Sequence, residues 1–378
     1  MPQELLFFFQ NATWTDFLLP GLAALTWLLL LLYSLFNYFW LSVYKIPPSG
    51  GESLPISVIM VERNEEEFLR KNLPGWLSLG YPAYELLVVD DFSQDDSLIT
   101  LGGLKLRYPW LKMTGLNQET RYSQKLSRNL ALKAITSDQA VFVNPSMEMP
   151  DHHWLPAISS SFGRGRQMTV GYTAILPSPG FYHRLYRVES FFQQTESMAW
   201  CLNGLPFVAN EENIAFKKQG YFDINGFAGY MREEYLNMEI IFNRIIRRRK
   251  TSVLPASNLV LRKEFHAGKR EWRELLHRSF RLKSTLGFFK RSVLAFFGML
   301  KMALLPLFIL CVVLYPVLWM PLLALLTLLG IIMVISILRL QKRLNEPKIF
   351  IPSLIYGIIA PYIKVVVRWG FNYRMRNR

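Results

Sequence analysis

The chain has 378 residues, half of them hydrophobic, and 43 Lys and Arg against 28 Asp and Glu for a formal charge of +15. That length holds one large domain plus membrane segments, or two domains. The charge calls for an anionic partner, but the basic residues flank apolar runs rather than lining a face interleaved with aromatics, which argues against nucleic acid. Two cysteines, Cys201 and Cys311, give no disulfide framework and no zinc spacing, and both are expected as thiols. His152-His153 reads as a solvated pair in a loop.

In chain order, the first apolar run lies between Asp16 and Lys45. Its core, GLAALTWLLLLLYSLFNYFWLSVY, is uncharged and exceeds the ~20 residues that a membrane span needs. Trp, Tyr and Phe near its C-terminal end match interface anchors. No Lys or Arg precedes it, which argues against a signal peptide. Residues 46–57, IPPSGGESLPIS, read as a linker.

ISVIMV predicts a short buried strand, EEEFLRKNLPGWLSL a helix, and YELLVVDD a second buried strand ending in acids. Continuous apolar strands around a helix predict a βαβ unit with a parallel sheet. Ligands of such sheets bind at the carboxyl ends of the strands. Glu62-Arg63-Asn64-Glu65 and Asp90-Asp91 therefore share one rim. No G-x-G-x-x-G follows the first strand, so a dinucleotide site loses its main support. LKMTGL (111–116) predicts a further strand, SQKLSRNLALKAI (123–135) an amphipathic helix carrying Lys125 and Arg128, and AVFVNPSMEMP a strand and its loop. The expected fold is α/β, a mostly parallel nucleotide-binding sheet, with transmembrane helices added.

Met302 to Leu338 is free of charge, long enough for two spans broken at Tyr315-Pro316. KREWRELLHRSFRLK precedes it and RLQKR follows; by the positive-inside rule both flanks, and Lys45, are cytoplasmic. Ile349–Ile363 is short, holds Pro352 and Pro361, and leads into Lys364, Arg368, Arg374, Arg376 and Arg378, which predicts an interfacial or re-entrant segment. The expected organisation is an N-terminal span in 1–45, a cytosolic domain in 46–289, two spans in 290–340 and an interfacial segment with a basic tail in 341–378. A polymer channel within one such chain is not expected.

With SVIMVERNEEE, YPAYELLVVDDFSQDDS, KLSRNLALKAITSD, VFVNPSMEMPDHHWL and ENIAFKKQGYFDINGF, the chain resembles the membrane-anchored family 2 glycosyltransferases, which have the A-type glycosyltransferase fold. The resemblance runs from residue 55 to about 245. It implies inverting transfer of a sugar from a nucleotide sugar to a lipid-linked or polysaccharide acceptor, in a bacterial inner membrane with the catalytic domain cytoplasmic. Position by position, Glu62 and Arg63 would border the nucleotide, Asp90 or Asp91 would accept from the base, and Lys125 and Arg128 would meet the diphosphate.

Three departures stand out. The family holds Mg²⁺ or Mn²⁺ with a D-x-D pair; here that slot reads Asn144-Pro145-Ser146, with Glu148 the next acid and Asp151 a cap or surface acid. The acidic segment that supplies the base aligns with Asn237-Met238-Glu239, leaving Glu239, or Glu233 and Glu234 upstream. The Q/R-x-x-R-W signature is reduced to Trp272, Arg278 and Arg281, which would bind an acceptor or phosphate, or simply rest on anionic headgroups at about 1 kcal/mol per basic residue. RIIRRRK (244–250) reads as solvated or near the membrane. These losses keep a second reading open, a non-catalytic scaffold or regulatory subunit with a protein partner in a membrane assembly.

Overall fold

The computed structural model describes residues 13–47, 53–119, 122–163, 165–346 and 349–376. Linker residues 48–52, Arg378 and the side chains of Arg374 and Arg376 fall outside that description. The chain forms two compact units.

One unit comprises Tyr44–Thr285 together with Lys342–Ile349. Its strands are β1 (Ile56–Glu62), β2 (Tyr84–Asp90), β3 (Lys112–Gly115), β4 (Gln139–Val143), β5 (Met168–Val170), β6 (Thr173–Ile175), β7 (Ile214–Lys217), β8 (Thr251–Val253) and β9 (Leu261–Lys263). Seven make one sheet in the order β3-β2-β1-β4-β7-β5-β8, while β6 and β9 pair separately. The half from β3 to β4 is parallel, and β7 runs antiparallel to both β4 and β5. The apolar runs that predicted these strands are buried: Ile56, Val58, Ile59, Met60, Val88 and Val89 have no exposed surface. Each such side chain contributes about 1.5–3 kcal/mol. Trp76 and Trp154 meet edge to face at 5.7 Å beneath the sheet.

The expected helices appear as α2 (Glu66–Leu77) and α4 (Ser123–Ala134), after α1 (Trp14–Val43) of the other unit. A third, α3 (Ser97–Arg107), fills the segment between β2 and β3, which the sequence reading crossed without a helix. The sheet explains it: β2 and β3 are parallel, and a parallel pair needs a long crossover. The rim is shaped by β1 and β2 ending level, with Glu62 opposite Asp90. Further on lie α5 (Trp154–Phe162), α6 (Phe181–Leu202), α7 (Gln219–Asp223), α8 (Met238–Ile245) and α9 (Lys269–Thr285).

The segment Lys342–Ile349 is bolted into this unit. Glu346 accepts from Tyr172 Oη at 2.7 Å and Arg187 at 2.9 Å. Leu344 and Ile349 are fully buried, and Arg343 donates to the carbonyls of Tyr44 and Pro255.

The other unit is helical. It holds α1 (Trp14–Val43, with a wider π turn at Ser34–Phe39), α10 (Phe288–Leu314), most of α11 (Trp319–Arg343) and α12 (Phe350–Arg376). Tyr315-Pro316 does end a helix, and Pro316–Leu318 is a short 3₁₀ turn. Among the described residues, four helices are long and apolar enough to cross a membrane. The fourth is where the structure differs from the sequence reading: Pro361 sits inside α12, and Phe350–Gly370 runs unbroken for 21 residues. Counting only uncharged residues stopped at Lys364, whereas the helix carries Lys364 and Arg368 within it; long basic side chains can reach the interface from such positions.

Candidate functional site

The sheet rim gathers two sets of side chains. At the ends of β1 and β2, Glu62, Asp90 and Asp91 are each 2% exposed. Asp91 accepts from Ser127 Oγ of α4 at 2.7 Å, and its own N–H donates to the Glu62 carbonyl at 2.8 Å. Ser93 N–H reaches the Asp90 carboxylate at 3.3 Å, and Ser93 Oγ the Glu62 carboxylate at 3.3 Å. Glu62 Oε1 is buried with no hydrogen-bond partner. Burial, and then Asp90 beside it, pushes the Glu62 carboxyl up to about 8. These facts agree, because a proton on Glu62 supplies the donor that two adjacent carboxylates lack.

The loop after β2 is locally strained. Phe92 has φ 61°, a region that bulky residues rarely occupy. Asn64 has φ 56°, which Asn tolerates, and its side chain accepts from Gln94 N–H at 2.7 Å. The loops after β1 and β2 are thus tied together. Arg63 pairs with Glu119 at 2.7 Å at the surface, not with the acids of the rim.

The second set is mixed in sign. Lys125 and Arg128 lie three residues apart on α4, hence on one face. Arg128 grips Glu211 through two nitrogens, at 2.6 and 3.0 Å. Glu211 also accepts from the N–H of Met238, which opens α8, at 3.2 Å. One residue on, Glu239 is 1% exposed and paired with Arg278 of α9, and it accepts from Asn237 N–H at 2.9 Å. Lys125 donates to the Glu233 carbonyl, and Arg281 pairs with the Glu233 carboxylate at 2.9 Å. Burial lowers the pKa of Lys125. Burial raises Glu239, helped by Glu211 and opposed by Arg278. Glu211 ends below the ordinary carboxylate range, since Arg128 outweighs its burial.

The structure thus brings Glu239, Glu233, Lys125, Arg128, Arg278 and Arg281 into one interleaved cluster. Glu234 is exposed. Trp272 is buried and stacks at a tilt on Tyr182, ring centres 5.9 Å apart. Glu211 was missed by sequence reasoning, as was Glu212, which holds Lys263 at 2.5 Å. Two acids in a row before NIAF were the available signal.

The Asn144–Met147 turn is closed on itself. Asn144 Oδ1 accepts from Ser146 N at 3.0 Å and Ser146 Oγ at 2.6 Å. The backbone carbonyls of residues 144, 145, 146 and 147 accept from Met147, Asn72, Glu264 and Trp76 respectively. Glu148 is exposed. Asp151 caps the following turn, accepting from the N–H groups of His153 and Trp154. Among the described residues, the one trio of His, Cys, Asp or Glu spaced for a metal is Asp151, His152 and His153, all exposed.

A parallel half-sheet with an acidic rim, extended by antiparallel β7 and a basic helix, is the layout of an A-type glycosyltransferase fold. Residues 57–237 match the family model "Glycosyl transferase family 2", so this stretch is a family 2 glycosyltransferase domain. The mannosyltransferase PcManGT from Pyrobaculum calidifontis, solved with GDP-Man and Mn2+, is similar across 91% of this chain and 98% of that one, with TM-score 0.56 and 17% identity. At that identity the likeness concerns the fold. TarS 1-349 of S. aureus, solved with UDP, overlaps 67% of this chain and 71% of its own at TM-score 0.43 and 14% identity. No curated protein matches the sequence.

Proposed function

We propose that the protein is an active, membrane-bound glycosyltransferase. It moves a sugar, with inversion, from a nucleotide sugar to a lipid-linked or polysaccharide acceptor at the cytoplasmic face of a bacterial inner membrane. The observation that carries this is the split rim inside a family 2 domain. Buried acids stand at β1 and β2, where Arg63 acts on Asp90 and Asp91 electrostatically while paired to Glu119, and a helix bearing Lys125 and Arg128 adjoins them through Ser127 and Asp91. An acidic end suits the N–H groups of a base; a basic end suits phosphates. PcManGT, which shares the fold, was solved with GDP-Man.

In this reading Asp90, backed by Glu62, accepts from the base, and Arg63 borders the nucleotide. Lys125 and Arg128 take the diphosphate. Glu239 is the base: its carboxylate removes the proton of the acceptor hydroxyl, the oxygen attacks the anomeric carbon, and the bond to the diphosphate breaks with its electrons leaving on phosphate. Burial raises its basicity, which favours that role. Glu233 and Glu234 are the alternative bases. Trp272, Arg278 and Arg281 form the acceptor or phosphate side. The basic flanks support a cytoplasmic position for residues 46–289. On the same rule, spanning by α12 would carry its basic tail outward, which favours an interfacial seat for it.

Mn2+ accompanies the sugar nucleotide in PcManGT, and the fold class implies Mg²⁺ or Mn²⁺. The residues here do not fit that ion. Hard divalent cations want charged oxygen ligands, and the Asn144–Ser146 turn offers an amide and a hydroxyl already bonded to each other.

A second reading rests on one observation: Arg128, Arg278 and Arg281 each already hold a carboxylate. A scaffold or regulatory subunit of a membrane complex would keep such pairs permanently. Mass-spectrometric turnover assays with UDP- and GDP-sugars and membrane lipid extracts separate the two. Sugar transfer abolished by Glu239→Gln supports the enzyme. Saturable nucleotide binding with no transfer supports the scaffold, and binding of no donor defeats both nucleotide-based readings.

A further inference from the structure

Resting on that reading, we propose that this protein binds its nucleoside diphosphate without a divalent cation. Arg128 and Arg278 neutralise the phosphates by exchanging their partners Glu211 and Glu239 for phosphate oxygens, and Lys125 joins them by leaving the Glu233 carbonyl.

The first ground is the chemistry of the turn after β4. A cation site needs oxygens with lone pairs to give, preferably charged ones. The side chains of Asn144 and Ser146 are neutral and bonded to each other. All four backbone carbonyls from Asn144 to Met147 accept hydrogen bonds from the protein itself. Two of those donors, Asn72 and Trp76, sit on α2 and are largely buried. Opening this turn to a metal would break several buried hydrogen bonds, at about 1–3 kcal/mol for each group left unsatisfied. Glu148 cannot substitute simply, since its N–H is fixed to the Arg262 carbonyl at 2.9 Å and its side chain is in solvent.

The second ground is what stands in place of the metal. Arg128 and Arg278 are each held against a carboxylate, and Glu211 acts electrostatically on both. Glu211 and Glu239 act in turn on Lys125. Lys125, Arg128 and Arg278 are therefore coupled to Glu211 and Glu239, with the Glu233–Arg281 pair at the cluster's edge. The two-nitrogen grip of Arg128 on Glu211 is also the grip that a guanidinium makes on phosphate. A diphosphate carries enough charge to replace both carboxylates while leaving the cluster close to neutral. The exchange also frees Glu239 from Arg278, so the base becomes available when the donor is in place.

Calorimetric titration of the full-length protein in detergent tests this, with UDP, GDP and inorganic pyrophosphate as probes, once in EDTA and once in excess Mn²⁺. The expected dissociation constants in the two buffers agree within about threefold. Arg128→Ala and Arg278→Ala each weaken binding about tenfold or more, the loss of one charged hydrogen-bonded pair. Glu211→Gln is the distinguishing variant. It removes a competing carboxylate with little change in shape, so it tightens binding several-fold, about what one close charge contributes; a ligand held through a metal gains nothing from it. Asp151→Asn, at the exposed His-rich trio, leaves binding unchanged. Nucleotide binding that appears only with Mn²⁺, or is lost in Asp151→Asn, overturns this inference and leaves the glycosyltransferase reading standing. Weaker or unchanged binding by Glu211→Gln overturns it too. Absence of binding by every probe in both buffers overturns this inference and the functional reading together.

Discussion

The two ends of the rim solve opposite electrostatic problems. At β1 and β2, acid faces acid: Glu62 and Asp90 stand side by side, and Glu62 takes up a proton with the pKa pushed to about 8. At α4, α8 and α9, acid faces base, and each carboxylate of the cluster has a cation on it. Adjacent buried carboxylates suit donor groups, and a basic cluster suits an anion, as the proposed nucleotide binding requires. A nucleoside diphosphate offers both, in that order along its length. The counter-ions of such a site therefore say more about the ligand it suits than the count of its motif residues does.

The largest effect that would break this comparison lies at Glu239. Glu239→Gln is expected to lower turnover by about 10²–10⁴, read as product formed per enzyme, whereas Glu233→Gln, which releases Arg281 and removes a charge near Lys125, costs about tenfold. Equal losses would move the base upstream. Next comes the buried pair of Glu346 and Arg187, with side chains 2% and 4% exposed. Glu346→Ala takes the carboxylate away from buried Arg187, which destabilises by about 3–5 kcal/mol, measured by chemical denaturation; a loss below 1 kcal/mol would show that the Lys342–Ile349 segment is merely laid on the domain.

A smaller effect comes from Glu62. Between its ordinary value of 4.5 and about 8, the folded protein holds a proton that the unfolded chain has lost. Stability therefore falls as pH rises through that window and levels off above it, by up to a few kcal/mol. Glu62→Gln stays neutral throughout and should flatten that slope in thermal unfolding at pH 5, 6, 7 and 8. An unchanged slope would mean that the acid pair is ionised. The smallest effect is Asp151→Asn: Asn caps about as well as Asp, so stability should change by less than about 0.5 kcal/mol and donor affinity not at all.

Much of the fold was legible because its strands are uniform apolar runs, and Glu62, Asp90 and Asp91 followed from where those runs end. Helix α3 was not, since SLITLGGLKLR carries Gly102 and Gly103 at about 1 kcal/mol each against helix; the need for a crossover settled it. The cluster around Glu239 was half legible. Lys125, Arg128 and Arg278 could be named from local pattern, but Glu211 lies 83 positions from Arg128, and Glu346 lies 159 from Arg187. No periodicity links residues that far apart; only the folded sheet and helices bring them together. The extent of α12 was not legible, because Lys364 and Pro361 each bound the apolar run in sequence and neither ends the helix.

The division of the rim is tested most directly by comparing nucleoside diphosphate and pyrophosphate affinities in Asp90→Asn and Arg128→Ala. The account predicts that Asp90→Asn weakens the nucleotide about tenfold, the cost of one base contact to a charged group, and leaves pyrophosphate within about twofold, while Arg128→Ala weakens both. Parallel losses of both ligands in Asp90→Asn would contradict it.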